Sequence, residues 1–178
     1  MEIKATLNKP YTEEQRIDFI IQQNRRLGYE IRETNSALEA WGYTEEELLE
    51  QAKTNKYAEA NQKAFEYLES GEAVFTYEEG KSIEATDGNI AKLGLYLVKF
   101  LMQEDYTSTI EWNTKENENV QLNAEQLGII TEGLGYIQSQ VWTVKFPAYN
   151  AQIAEAETIE EVNAIVIDYS IEIEIEEE

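Results

Sequence analysis

The sequence contains neither cysteine nor histidine in its 178 residues. Without cysteine there are no disulfides, no thiolate metal sites and no cysteine nucleophiles. Without histidine the chain lacks the usual general base, the commonest transition-metal ligand and the histidine of a hydrolytic triad. We therefore expect a protein that is not an enzyme and that has no catalytic, cofactor-binding or metal site.

Other chemical motifs are missing as well. The acidic residues do not follow the alternating spacing of a calcium loop, and no serine is flanked by the glycines of a nucleophile elbow. The glycines at 128, 133 and 135 are not followed by the Lys-Ser/Thr pair of a phosphate-binding loop. Close helix packing is the better interpretation of these three glycines.

Basic residues are scarce. Fourteen Lys and Arg stand against 36 Asp and Glu, which gives a net charge of −22. Such a surface repels nucleic acid backbones and anionic lipid head groups, so we expect neither nucleic acid nor a membrane as partner. The negative charge favours association with basic protein surfaces. The alternative is that the acidic residues serve only to keep the surface well solvated.

Long apolar runs are absent. The first residues, Met1-Glu2-Ile3-Lys4, lack the charged-then-apolar pattern of a signal sequence, and no uninterrupted apolar run approaches the roughly 18 residues of a membrane span. We expect the protein to stay in a cytoplasm unless it leaves inside a particle.

The composition nonetheless supports a folded core, with 42% hydrophobic and 11% aromatic residues. The patterning predicts an α+β protein, mainly helical, with small β-hairpins and a long C-terminal helix. We divide the chain into an N-terminal strand and helix region (1–71), a hairpin with a buried helix (72–106), a third region (107–169) and an acidic C-terminal strand or tail (170–178).

Capping sequences mark the predicted helix starts, and glycines at 28 and 71 are placed to end the first two helices. The capping residues are Thr12, Thr44, Asn123 and Thr158. Short strands are predicted at 3–7 and 29–32, and hairpins at 73–85 and 107–122. The spacing of Ile90, Leu93, Leu97 and Leu101 predicts a third helix, the most buried of the set because its other faces are also apolar.

The long helix after Asn123 carries an apolar seam with three-four spacing, formed by Leu127, Ile130, Leu134, Ile137, Val141, Val144, Ala148 and Ala151. The seam either pairs two copies as a coiled coil or packs inside the chain against helices at 45–70 and 90–103. We favour internal packing, because Gly133, Gly135 and Pro147 would weaken a free-standing coiled coil. Trp142 follows the seam residue Val141 and faces either a third helix or a partner, which makes it a candidate interface residue.

The C-terminal end alternates isoleucine with glutamate. Ile171, Ile173 and Ile175 would share one face of a strand, with the carboxylates on the other. We interpret this segment as an edge strand that joins the chain's own hairpins or a neighbouring subunit, so these isoleucines are candidate interface residues. A frayed acidic tail is the alternative.

Two stretches of the sequence carry a family resemblance. The run from Lys4 to Thr12, with Gly28-Tyr29-Glu30-Ile31 and the segment from Leu38 to Thr44, resembles the opening of small proteins encoded in phage and prophage tail regions. Residues 107–169 resemble a domain of unknown function found in phage tail-fibre and tail-fibre-assembly proteins. The features that carry the second resemblance are Trp112, Val120, Leu122, the long helix, and the closing Ala156, Thr158, Glu160, Glu161 and Val162.

The resemblance implies a tail or tail-fibre accessory protein, structural or assisting assembly. It implies other phage structural proteins as partners, with a second copy of this chain as a further candidate, and a location in the virion tail or in the host cytoplasm during assembly. It brings no catalytic residues with it. The alternative function, suggested by the net charge of −22, is an acidic inhibitor that mimics nucleic acid and blocks a host defence protein.

Overall fold

A computed structural model describes residues 1–171 of the chain and confirms the α+β class. The strands are β1 (Glu2–Asn8), β2 (Glu30–Glu33), β3 (Ala37–Gly42), β4 (Val74–Glu78), β5 (Lys81–Glu84), β6 (Ile110–Asn113) and β7 (Asn119–Leu122). The helices are α1 (Glu13–Ile20), α2 (Glu45–Glu69), α3 (Asp87–Met102), α4 (Ala124–Ser139), α5 (Phe146–Glu155) and α6 (Ile159–Ala164). A π-helical turn, Ile21–Arg26, extends α1, and a second one, Gln140–Lys145, joins α4 to α5.

The N-terminal part of the chain forms a three-stranded antiparallel sheet in the order β1-β3-β2. The central strand β3 is not among the strands predicted from the sequence. It is short and rich in alanine, and its buried residues Leu38, Ala40 and Gly42 alternate with the partly exposed Glu39 and Trp41. Such a strand lacks the β-branched residues that mark a strand in a sequence.

The predicted helix starts are confirmed. The side chain of Thr44 accepts a hydrogen bond from the Glu47 N–H at 3.1 Å, and that of Asn123 accepts one from the Gln126 N–H at 3.0 Å. Both close reciprocal capping boxes, as Thr12 and Thr158 do at α1 and α6. The predicted hairpins are confirmed as the antiparallel pairs β4-β5 and β6-β7.

Helix α4 is the centre of the core. Leu127, Ile130, Leu134, Ile137 and Val141 are at most 1% exposed. Their seam packs inside the chain against residues of α2 and α3, which confirms the internal packing favoured above. The core does not follow the predicted boundary at residue 71, because buried residues of α2 lie in the same cluster as those of α3, α4 and α5.

The predicted seam is wrong beyond Val141. Val144 is 50% exposed, and Ala148 and Ala151 are exposed too, whereas Ile153 is fully buried. The cause is the π-helical turn, in which the Phe146 N–H donates to the carbonyl of Val141, five residues back. One additional residue in that turn rotates all later side chains by about 100°. The turn ends at Lys145, two residues before Pro147, which has no N–H to donate.

Two further expectations need correction. Helix α3 is not the most buried helix, since only Leu93 and Phe100 on it are buried. Close packing explains only one of the three glycines of α4: a Cβ on Gly133 would lie 2.4 Å from the ring of Phe75, whereas Gly128 and Gly135 face open space.

Helix α6 ends at Ala164. Residues 165–171, which we call the strap, then run in an extended course along α2. Ile167 and Tyr169 are buried while Val166 is 79% exposed, so burial alternates along the strap as it does along a strand.

Candidate protein-interaction surface

Several carboxylates within residues 1–171 accept hydrogen bonds from neighbouring backbone and lysine groups. No three acidic residues of this part of the chain lie close enough together to hold a metal ion. The Ser82 N–H donates to the Glu116 carboxylate at 2.9 Å, and this bond lowers the pKa of Glu116 to about 2. Hydrogen bonds from Lys56 and Lys63 likewise lower the pKa of Glu59. These carboxylates are therefore ionised acceptors at neutral pH and cannot act as general acids.

A cleft of 530 Å³ lies between the N-terminal ends of α2 and α6. Its lining carries four carboxylates and no basic residue, and the residues are Glu45, Glu46, Leu49, Glu157, Thr158, Ile159 and Glu160. Acidic side chains are favourable near helix N-termini, where the backbone N–H groups point outward. The helix capping alone therefore accounts for this acidic concentration.

The outer side of α3 exposes a row of large apolar side chains. Leu95 is 72% exposed, Val98 52%, Leu101 49% and Met102 81%. Because successive helical residues are rotated by about 100°, these four fall on one side of the helix. We call them the α3 face. Four large apolar side chains exposed side by side are a feature of protein-binding surfaces.

The opposite side of α3 packs on α4 through Leu93 and Phe100, which are at most 3% exposed. The helix is therefore apolar almost all round, although only one of its sides contacts the core. The remaining polar sector is narrow and holds Lys92 and Lys99. Asp87 is the sole acidic residue of Asp87–Met102. It lies in the first turn, where the helix dipole stabilises a negative charge.

The charge of α3 itself is thus opposite in sign to that of the molecule. Across Asp87–Met102 there are two lysines and one aspartate, whereas the whole chain carries −22. An apolar face bordered by lysines fits a partner surface that is apolar at its centre and acidic at its rim.

A groove continues the α3 face at its C-terminal end. It has a volume of 330 Å³ and is lined by Leu101, Tyr106, Asn123, Ala124 and Glu125. Tyr106 is 60% exposed. A tyrosine at the edge of an apolar face offers both ring area and a hydroxyl group to a partner, a combination that is common at protein interfaces.

Trp142, a candidate interface residue from the sequence, packs inside the chain. Its ring centroid lies 4.9 Å from that of Phe65 on α2 and 5.4 Å from that of Phe146, both in edge-on geometry. It therefore contacts another helix, the first of the two alternatives given above, and it remains partly exposed.

The candidate isoleucines at the C-terminal end are only partly described. Ile171 is half-buried against the core, and its N–H donates to the Tyr67 hydroxyl at 3.2 Å. Ile173 and Ile175 lie outside the described residues.

The α3 face was missed because its residues were assigned to the core. The signal was present in the sequence, since a helix with apolar residues on every side must either be enclosed or leave one side for a partner. The sequence does not distinguish these cases.

Comparisons of the chain with protein-family models, with curated proteins and with solved structures give no match. No helix within residues 1–171 is long and apolar enough to cross a membrane.

Proposed function

We propose that this chain is a non-enzymatic binding protein that docks on another protein through the α3 face. The observation that carries the proposal is the exposure of Leu95, Val98, Leu101 and Met102 on a helix whose other side is already packed. Burial of this face in an interface would remove apolar surface from water, which is the main driving force of association.

The sequence resemblance of residues 4–44 and 107–169 supports a more specific role, that of a phage tail or tail-fibre accessory protein. In that role the partner is another phage structural protein, met in the virion tail or in the host cytoplasm during assembly. The α3 face suits such a role because permanent assemblies bury apolar surfaces.

Mass spectrometry of purified particles tests the phage role. A virion component is expected in a fixed stoichiometry with the tail proteins, and an assembly factor is expected on tail intermediates but not on finished particles. Absence from both would contradict the role.

A pair of matched substitutions tests the α3 face. Val98→Glu places a charge in the middle of the face, whereas Val166→Glu makes the same change at a 79% exposed position on the strap. We expect Val98→Glu to weaken partner binding at least about tenfold and Val166→Glu to leave it unchanged. Equal binding by both variants, measured as co-purification with tails and by titration calorimetry against the captured partner, would exclude the α3 face.

The acidic surface supports a second candidate function, inhibition of a host defence protein by mimicry of nucleic acid. The net charge of −22 favours it. An inhibitor of this kind is expected early in infection and not in particles, so the particle analysis separates the two functions.

A further inference from the structure

Helix α3 carries two apolar stripes on nearly opposite sides. The inner stripe packs on the core and consists of Ile90, Leu93, Leu97 and Phe100. The outer stripe is exposed and consists of Ala91, Leu95, Val98 and Met102. One stripe is enough to anchor an amphipathic helix to its own protein. Within residues 1–171 the outer stripe is therefore not needed to hold α3 in place.

The outer stripe has the spacing of a coiled-coil seam. Its residues follow one another at intervals of four, three and four, which are the intervals between a and d positions of a heptad repeat. Leu95 and Met102 then occupy a positions, and Val98 occupies a d position. The buried residues Leu93 and Phe100 fall at f, the position opposite the seam. Helix α3 therefore contacts its own core with its f side and offers its a and d side to a second helix.

The spacing along the outer stripe matches a helix better than a strand. Consecutive a and d side chains are 3.5 residues apart on average, which is about 5 Å along the helix axis. A second helix repeats at the same interval, so its side chains fit between those of α3 along the whole stripe. Alternate side chains of a strand are about 6.7 Å apart and are out of step by about 3 Å after two contacts. The stripe from Ala91 to Met102 covers about 16 Å, or three helical turns.

Two lysines border the outer stripe on one side. Lys92 and Lys99 lie seven residues apart, and both fall at the exposed e position beside the seam. Residues at e meet the g residues of a parallel partner helix or the e residues of an antiparallel one, and charges at these positions select the partner. The other border consists of Gly94 and Leu101, which carry no charge. The lysines therefore favour a partner helix with carboxylates along one border of its seam.

A second copy of this chain does not meet this requirement. Two antiparallel α3 helices would place lysines opposite lysines, and like charges at these positions repel each other. Two parallel copies would place Lys92 and Lys99 opposite the uncharged Gly94 and Leu101. The net charge of −22 on each copy adds further repulsion. The outer stripe therefore fits a helix from a different protein.

We propose that the α3 face binds an amphipathic helix of another protein, whose apolar seam pairs with the outer stripe and whose flanking carboxylates meet Lys92 and Lys99. The inference rests on the proposed function, because it names the partner of the same face. Such a helix packs beside α3 at a crossing angle of about 20°. Its apolar side chains lie between those of the outer stripe, and the groove beside Tyr106 receives a further turn of it.

Two synthetic peptides test the inference on the full chain. Both have three heptads with leucine at a and d, and they differ only in carrying glutamate or lysine at every e and g position. The net charge of the protein repels the glutamate peptide, so its binding requires a specific site. By titration calorimetry we expect this peptide to bind wild type at least about tenfold more tightly than Val98→Glu. Absence of binding, or equal binding to Val98→Glu, would overturn the inference.

A double charge reversal tests the role of the two lysines. Lys92→Glu with Lys99→Glu should weaken binding of the glutamate peptide at least about tenfold and should not weaken binding of the lysine peptide. The matched control is Arg25→Glu with Arg26→Glu, which makes the same change of net charge at exposed positions of the π-helical turn after α1. Circular dichroism verifies the fold of each variant. Equal effects of the two double variants would show that net charge, not position, determines binding, and the inference would be wrong.

The same variants distinguish this inference from the proposed function. If Val98→Glu loses the partner captured with tails and the double lysine variant keeps it, docking on the α3 face stands and the acidic helix is wrong. If Val98→Glu keeps that partner, the proposed function itself is contradicted. A dimer that Val98→Glu converts to a monomer in analytical ultracentrifugation would identify the occupant as a second copy, which also overturns the inference.

Discussion

One methyl group added at two positions of α4 should have opposite effects on stability. A Cβ on Gly133 would lie 2.4–2.5 Å from three ring atoms of Phe75, whereas a Cβ on Gly135 meets nothing within 4 Å. Carbon atoms in contact prefer a separation of about 3.5–4.0 Å, so the ring of Phe75 must move by about 1 Å to admit the methyl group. Gly133 is therefore required by packing, and Gly135 is not.

The magnitudes follow from two terms. Replacement of a helical glycine by alanine stabilises a helix by about 1 kcal/mol. Overpacking of a filled site destabilises by about 1–3 kcal/mol. Gly135→Ala has only the first term and should raise the free energy of unfolding by about 1 kcal/mol. Gly133→Ala has both terms, so we expect a change between about zero and a loss of 2 kcal/mol.

Thermal unfolding followed by circular dichroism measures the difference. For a chain of this length about 1 kcal/mol corresponds to a shift in Tm of roughly 2–4 °C. A Gly133→Ala variant that is stabilised as much as Gly135→Ala would refute the contact with Phe75. The double variant Gly133→Ala, Phe75→Leu provides the control, because a smaller side chain at 75 should remove most of the penalty of the methyl group.

Two other predictions concern the core and the acid range. Leu134→Asp should unfold the protein, since an unpaired charge at a fully buried position costs several kcal/mol. Val144→Asp should be tolerated, because the π-helical turn exposes Val144. Equal melting curves for the two variants would show that the turn does not rotate the helix. Glu116→Gln should weaken the dependence of stability on pH. The lowered pKa of Glu116 means that its ionised form stabilises the folded state. This stabilisation is complete above pH 4.5, the ordinary pKa of a glutamate, and is lost as the pH falls towards about 2. Acid unfolding curves that coincide for the wild type and Glu116→Gln would show that the bond from the Ser82 N–H does not contribute.

The helices and hairpins were predictable because their signals are local. A capping box such as Thr44 to Glu47 fixes a helix start within four residues, and glycines such as Gly80 mark a turn by requiring a positive φ. These features depend on the backbone of a few neighbouring residues. They are therefore present in the sequence in the same form as in the structure.

The features that were missed depend on distant parts of the chain. Strand β3 is a strand because β1 and β2 pair with it on both sides, and its alanines carry no strand signal of their own. The register of the long helix changes at a single turn near Pro147, which a pattern of constant spacing cannot show. The partner of Trp142 was undetermined in the sequence for the same reason, since α2 lies some 75 residues earlier in the chain.

The two unusual features of this molecule, its charge and its apolar helix, are physically linked. The side of α3 that packs on α4 already provides the burial that the helix needs, so Leu95, Val98 and Met102 contribute little to the stability of the isolated chain. Their exposure promotes association, and a net charge of −22 opposes it by keeping like molecules apart. The lysines of α3 make the face locally attractive to a surface with an acidic rim. Under the proposed function, the partner is a surface that complements both the apolar face and its lysines, and the charge of the rest of the molecule disfavours other contacts.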